Sequence, residues 1–423
     1  MKPNKKGWLT EYLNFRKDLL RDLSEESREA SHPDQSLYKI IQPTGVMYGQ
    51  SVDLFDHPDS KFWGQKDRLK ILLAESLVGS SFFFQGKSIN DPNELSDAVL
   101  KALENIGNFY NTVFPEVSVS SRTFFGRKKT PAELAEKILT RRVEMATDGG
   151  DSFWSKFFNN SLLFLDIFIF GQWIHTNANK IVSDFFKYER EELRFSVIKV
   201  ITAAAHANKR IEEEERKMFD YFIEGSGLSE EKKKEAYSLF KEGIEIEEVS
   251  LPTNNSWILK KYFLEVAILV VWADKKFEDV ELGFLDRVAK HLDISAEELE
   301  NSLVAVEGFV LEHWEQLDYL QSKQSYEEVS EQYMTRVSKI VDQNKDRLIS
   351  EVRGSNELVV LLKKARSMEL SDDEKTKTQE LLLTVFKTIP TFVITSLPQK
   401  YLTLPIMMKI LPSTFFSESL EHH

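Results

Sequence analysis

Two stretches of the chain, VITAAAHANKRIEEEERKMFDYFIEGSGLS (residues 200–229) and VAILVVWADKKFEDVELGFLDRVAKHLDIS (residues 266–295), align without a gap. Val200 falls on Val266, Ala207 on Ala273, Ile211 on Phe277, Glu215 on Glu281, Phe219 on Leu285, Phe222 on Val288, Leu228 on Ile294 and Ser229 on Ser295. Each copy reads as an apolar helix ending near Ala207 or Ala273, a tight charged turn, a second amphipathic helix, and a third helix opened by the serine. Ser295-Ala296-Glu297-Glu298 is a capping box, in which serine and glutamate each satisfy the other's free backbone N–H. One such unit has too little apolar surface to close a core alone, so the two are expected to pack face to face as one helical bundle. No alternating apolar and polar run bounded by hairpin signals occurs, Val117 to Val119 being the nearest exception. The fold class is therefore expected to be all-α, a multi-domain helical protein.

Outward from the repeat, punctuation divides the chain. Thr130-Pro131-Ala132-Glu133 announces a helix, and Thr147-Asp148-Gly149-Gly150-Asp151 reads as a boundary. The expected regions are a helical region of unassigned type at 1–147, the duplicated bundle at 152–320 with units at about 194–240 and 260–306, and a C-terminal domain at 330–419. Leu420-Glu421-His422-His423 reads as an expression-tag remnant. The longest apolar stretch, Ser161 to Ile174, is shorter than the ~20 residues a bilayer requires and contains Asp166, so it reads as a buried helix. Lys387, Lys400 and Lys409, with Pro390, Pro398 and Pro405, cut a second apolar region into pieces. Gly7 to Phe15 is amphipathic and carries Glu11, which is not the apolar core of a secretion signal.

The 423 residues contain no cysteine, so disulfides, thiolate zinc sites and cysteine nucleophiles are excluded, and a cytoplasmic location, with peripheral attachment to the inner membrane as a variant, is the expectation. The formal charge is −13 and is concentrated. Between Arg190 and Asp318 lie about 17 basic and about 29 acidic residues. Duplex nucleic acid, bound largely through phosphate neutralisation, is not an expected direct partner.

At its turn the second copy reads Ala273-Asp274-Lys275-Lys276-Phe277-Glu278-Asp279-Val280-Glu281, which resembles the tellurite-resistance TerB family over roughly 130 residues. That resemblance implies metal binding, with calcium or another divalent cation held by Asp274, Glu278 and Glu281, and by Glu215 in the first copy. The same residues also read as helix caps and a solvated acidic face. Asn208 and Lys209 in the first copy, and Lys275 in the second, depart from the family's Asp-Gly pair and reduce its acidic ligands. Asp342-Gln343-Asn344-Lys345-Asp346 imitates the start of a calcium loop, but Arg347 and Arg353 replace the required glycine and glutamate.

From Leu358 to Phe416 the order of Leu361-Leu362-Lys363-Lys364-Ala365-Arg366, Leu370-Ser371-Asp372-Asp373-Glu374-Lys375 and Val385-Phe386-Lys387-Thr388-Ile389-Pro390-Thr391-Phe392 resembles the Letm domain. Leu404-Pro405, Lys409 and Leu411-Pro412-Ser413-Thr414-Phe415 continue that order. Together with the TerB-like repeat it is similar to bacterial, biofilm-associated Letm-related proteins. The resemblance implies a partner, the ribosome or a membrane surface, and Pro390, Phe392, Pro398, Pro405, Lys409, Pro412 and Phe415 are the residues it assigns to partner binding. Aliphatic and aromatic residues at this spacing equally read as core. Residues 351–419 carry about nine basic and about eight acidic groups, too balanced for phosphate-driven RNA binding.

No phosphate loop, nucleophile elbow, zinc-protease motif or dinucleotide fingerprint occurs, and His32, His57, His175, His206, His291 and His313 are scattered. The expectation is a non-enzymatic intracellular scaffold that binds an unidentified protein and takes no small-molecule substrate. A divalent-cation sensor and a ribosome-associated protein are the alternatives.

Overall fold

A computed structural model of the chain describes residues 1–18, 20–21, 33–42, 45–48, 57–85, 89, 91–123, 126–147, 153–176, 183–207, 211, 213–251, 256–274, 279–312, 314–316, 325–386, 388–389 and 403–411. The protein is all-α. Among the described residues no strand forms, and an isolated antiparallel bridge between Arg122 and Lys128 stands closest to one. The helices are α1 Trp8–Phe15, α2 Pro33–Ile41, α3 Gln65–Gln85, α4 Pro92–Val113, α5 Pro131–Thr147, α6 Phe153–His175, α7 Ser183–Ala205, α8 Glu213–Gly225, α9 Glu230–Glu242 and α10 Trp257–Asp274. They continue as α11 Asp279–His291, α12 Ala296–Glu312, α13 Tyr326–Gln343, α14 Lys345–Arg353, α15 Asn356–Ser367, α16 Asp372–Phe386 and α17 Leu404–Ile410.

Two compact units divide the chain at Val270/Val271, inside α10, whereas punctuation in the sequence suggests three regions. In the first unit, α6 is the central helix. Every residue from Ser161 to Phe170 is buried, Asp166 included, and α3, α5, α7 and α8 pack around it. A helix covered on all sides has no need of a polar face, which is why this stretch is apolar at every phase of the turn. Gly171 permits the closest approach, since a Cβ there would stand 2.4 Å from a ring carbon of Phe84 on α3. The three helices of the first repeat copy, α7, α8 and α9, pack on one another, and Phe219 stacks on Phe240 at 3.8 Å between ring centroids. α10 is anchored from α2. Asp34 accepts from the Ser256 hydroxyl at 2.7 Å, and the Tyr38 hydroxyl donates to Glu265.

In the second unit α12 is the buried rod, with no exposed residue from Asn301 to Leu311, and α11 and α13 pack against it. α16 lies on α14 and α15, while α17 touches α13 and α16. The capping boxes stand as read from the sequence. Thr130 N donates to Glu133 at 3.1 Å and Glu133 N to Thr130 Oγ1 at 3.2 Å. Ser295 with Glu298, and Ser371 with Glu374, make the same reciprocal pair. The imitation calcium loop is not a loop. α13 runs to Gln343 and α14 starts at Lys345, with Asn344 alone between them.

Candidate functional site

The acidic turns of the repeat contribute backbone positions only. Asp274 is the last residue of α10, Glu281 lies in the first turn of α11, and Glu215 in the first turn of α8. Their side chains, and Glu278 altogether, lie outside the described residues. Among the described residues no group of three or more histidine or carboxylate side chains is placed to hold a metal ion. Of the residues assigned to partner binding, Pro390, Phe392, Pro398, Pro412 and Phe415 also lie outside. Pro405 and Lys409 are exposed on α17, which buries Met407 and Ile410 instead. His206 makes a structural contact, its Nε2 lying 2.8 Å from the carbonyl oxygen of Phe240.

The chemistry on view gathers at α12 and α13. α13 is capped by Ser325, whose hydroxyl accepts from Glu328 N at 3.2 Å, and it buries Val329, Tyr333, Val337, Ile340 and Val341. That stripe, repeating every three to four residues, faces α12 and leaves Glu328, Glu331, Gln332, Thr335, Arg336 and Lys339 along one flank. With Glu300 of α12 these side chains line a cleft of about 550 Å³. Glu300 holds its floor by a double contact, to Arg336 Nη1 at 3.2 Å and Lys339 Nζ at 3.1 Å.

Beneath lies Glu307, seven residues further along α12 and so on the same face two turns away. Its side chain is 0% exposed. Oε1 accepts from Arg336 Nε at 3.0 Å, while Oε2 has no hydrogen-bond partner among the described residues. Burial pushes the carboxyl up to about 7, and the nearby Glu300 adds to the shift, while the Arg336 ion pair opposes it. Arg336 thus serves two carboxylates at once and fully satisfies only part of what they need. The signal in the sequence was a lone acid inside an apolar run, Val304-Ala305-Val306-Glu307-Gly308-Phe309-Val310, but nothing local shows which base it meets.

A second buried carboxylate sits in the first unit. Asp166 on α6 receives Arg142 from α5 through two bonds, Nε to Oδ2 at 2.5 Å and Nη2 to Oδ1 at 3.1 Å, and the Tyr110 hydroxyl donates to Oδ2 at 3.1 Å. Arg142, Arg190 and Arg194 all stand over the Phe114 ring, at 5.7, 4.6 and 6.0 Å. Arg190 pairs with Glu116 at 2.7 Å, and Arg194 donates to the Ser226 carbonyl at 3.1 Å. Burial, reinforced by Arg142 and Arg190, lowers the Arg194 guanidinium to about 9. This cluster is buried, and within it Nε of Arg190 and Nε of Arg194 have no hydrogen-bond partner among the described residues, whereas the α12–α13 cleft is open to solvent.

No family model matches the chain, and no solved structure matches it significantly. Two curated relatives do: the co-chaperone protein DjlA of Vibrio vulnificus strain YJ016 and the protein of the same name from strain CMCP6. Each is 28% identical over 122 residues, covering 27% of this chain and 42% of the relative. The chain therefore spans less than half the length of the curated relatives it matches. No described helix is long and apolar enough to cross a membrane.

Proposed function

We propose that this chain is a non-enzymatic scaffold or adaptor that binds another protein, and that the α12–α13 cleft is where it does so. The observation carrying this reading is the lining of the cleft. Small-molecule pockets are largely apolar with a few polar groups, whereas this cleft presents charged and amide side chains along one helix flank, the surface of a polar protein contact. The partial likeness to co-chaperones, whose name denotes action alongside other proteins, and the TerB-like and Letm-like resemblances support the same reading.

A photo-crosslinking amino acid placed at Gln332, in the cleft, is expected to trap one discrete protein adduct in cells. The same group at Asp97, exposed on α4, is expected to give no such adduct. Identical patterns from both positions, or nothing from Gln332, would overturn the proposal.

A further inference from the structure

Glu307 and Arg336 meet where α12 packs on α13, and the two ends of their contact differ. The Glu307 side chain has no exposed surface, and one of its oxygens has no hydrogen-bond partner among the described residues. The Arg336 side chain is 19% exposed. From the Nε bond to Glu307 it extends to the cleft wall, where its Nη1 reaches one oxygen of the partly exposed Glu300 and Lys339 holds the other. One guanidinium thus spans a buried carboxyl and a partly solvated one. These are the charged groups that act on Glu307. α11, the other helix packed on α12, buries Phe284, Leu285, Val288 and Ala289 and keeps Asp286, Arg287, Lys290 and His291 exposed. The stripe of α13 that faces α12 adds a further titratable group, the buried Tyr333.

A hydrogen bond between two ionised groups is stronger than one in which a single partner carries charge. While Glu307 is ionised, Arg336 makes two bonds of the stronger kind and is drawn inward. Once Glu307 takes a proton, only the bond to Glu300 keeps both charges, and the balance moves to the cleft. The neutral acid also relieves the cost of a bare carboxylate oxygen in an apolar interior. Burial brings this exchange of protons close to neutral pH.

We propose that Glu307 and Arg336 form a proton-controlled latch between α12 and α13, closed when the buried carboxylate holds Arg336 and open when its protonation lets the guanidinium move outward to Glu300. Opening leaves Arg336 and Lys339 together against one carboxylate, so the cleft wall becomes more positive. The latch stands on the contact of α12 with α13 and is independent of what the cleft binds, so its failure would leave the protein-binding reading untouched.

The test is NMR on the full chain between about pH 5.5 and about pH 8.5. It follows the Glu307 carboxyl carbon, assigned by its loss in Glu307→Gln, and the NOE from the Arg336 Nε–H to the Glu307 side chain. The carboxyl is expected to titrate with a midpoint near neutral pH, and the NOE, present above that midpoint, is expected to be lost below it. In Glu307→Gln, a lasting stand-in for the protonated acid, the NOE is expected to be absent at every pH. Glu300→Gln is expected to keep the carboxyl transition but move it to lower pH, since a like charge is gone. A carboxyl that titrates while the NOE stays constant would show a buried acid without a latch and overturn the inference. So would the absence of any transition, or an Arg336 transition that survives Glu307→Gln, as one set by a histidine would.

Discussion

Asp166 and Glu307 each interrupt a buried apolar run of a central helix, and each meets an arginine from a neighbouring helix, yet the two sites are built differently. Around Asp166 the guanidinium approaches side-on with two bonds and a tyrosine hydroxyl adds a third, so both carboxylate oxygens have donors. Around Glu307 one oxygen has a donor, the other has none among the described residues, and the arginine is shared with Glu300. Burial is nearly the same, 1% and 0% side-chain exposure. What differs is the number of donors, and it is donors that make an ionised carboxylate tolerable away from water. The first site is a structural fastening between α5 and α6. The second holds its charge poorly and adjoins an open cleft.

Substitutions can break this contrast or sharpen it. The largest effect is expected from Asp166→Asn, which leaves Arg142 buried without its counter-ion and should destabilise the first unit by about 3–5 kcal/mol in urea unfolding followed by circular dichroism. A loss under about 1 kcal/mol would mean that the pair contributes little and that the contrast is unfounded.

Glu307→Gln is expected to act in the opposite direction. Because its folded-state carboxyl lies near 7, above the ordinary 4.5, the folded protein holds this proton more tightly than the unfolded chain does. The resulting stability is fully present below about pH 4.5 and is lost as pH rises through about 7, a total of about 3 kcal/mol. Glutamine mimics the protonated acid, so the variant should be about 1–3 kcal/mol more stable than the parent at pH 8 and level with it near pH 4. A variant less stable than the parent at pH 8 would show that the ion pair with Arg336 outweighs burial after all.

Tyr110→Phe withdraws one donor from Asp166 and should cost about 1 kcal/mol, with the unfolding midpoint as the readout. The smallest change is expected from Glu300→Gln, under about 1 kcal/mol, because this carboxylate and its partners are partly solvated. That variant should also draw the Glu307 titration, followed by carboxyl NMR, toward lower pH, since it removes a like charge and frees Arg336.

Much of the fold was legible because its determinants are local. The capping boxes at Thr130, Ser295 and Ser371 depend on residues three apart, and all three form. Ser161 to Ile174 reads as a buried helix from its length and its acid, and it is the centre of the first unit. Other limits were less well placed. The helix expected to end near Ala207 closes at Ala205, and its counterpart expected to end near Ala273 closes at Asp274. Fraying ends are settled by small differences between helical and turn hydrogen bonds, which composition does not resolve. The candidate site was not legible at all. Glu307 and Arg336 are 29 residues apart, and Asp166 and Arg142 are 24 apart, each pair on different helices.

By itself, the order of residues determined that this chain is helical, where several helices begin, that it repeats a helical unit, and that Asp166 lies inside an apolar helix. Those are consequences of periodicity and of hydrogen bonds closed within a turn or two. Only the tertiary structure decided which arginine each acid meets, how many donors surround it, and that one flank of α13 borders a cleft. Those outcomes depend on how helices pack, and a buried charge takes its character from whatever the packing brings within 3 Å or so.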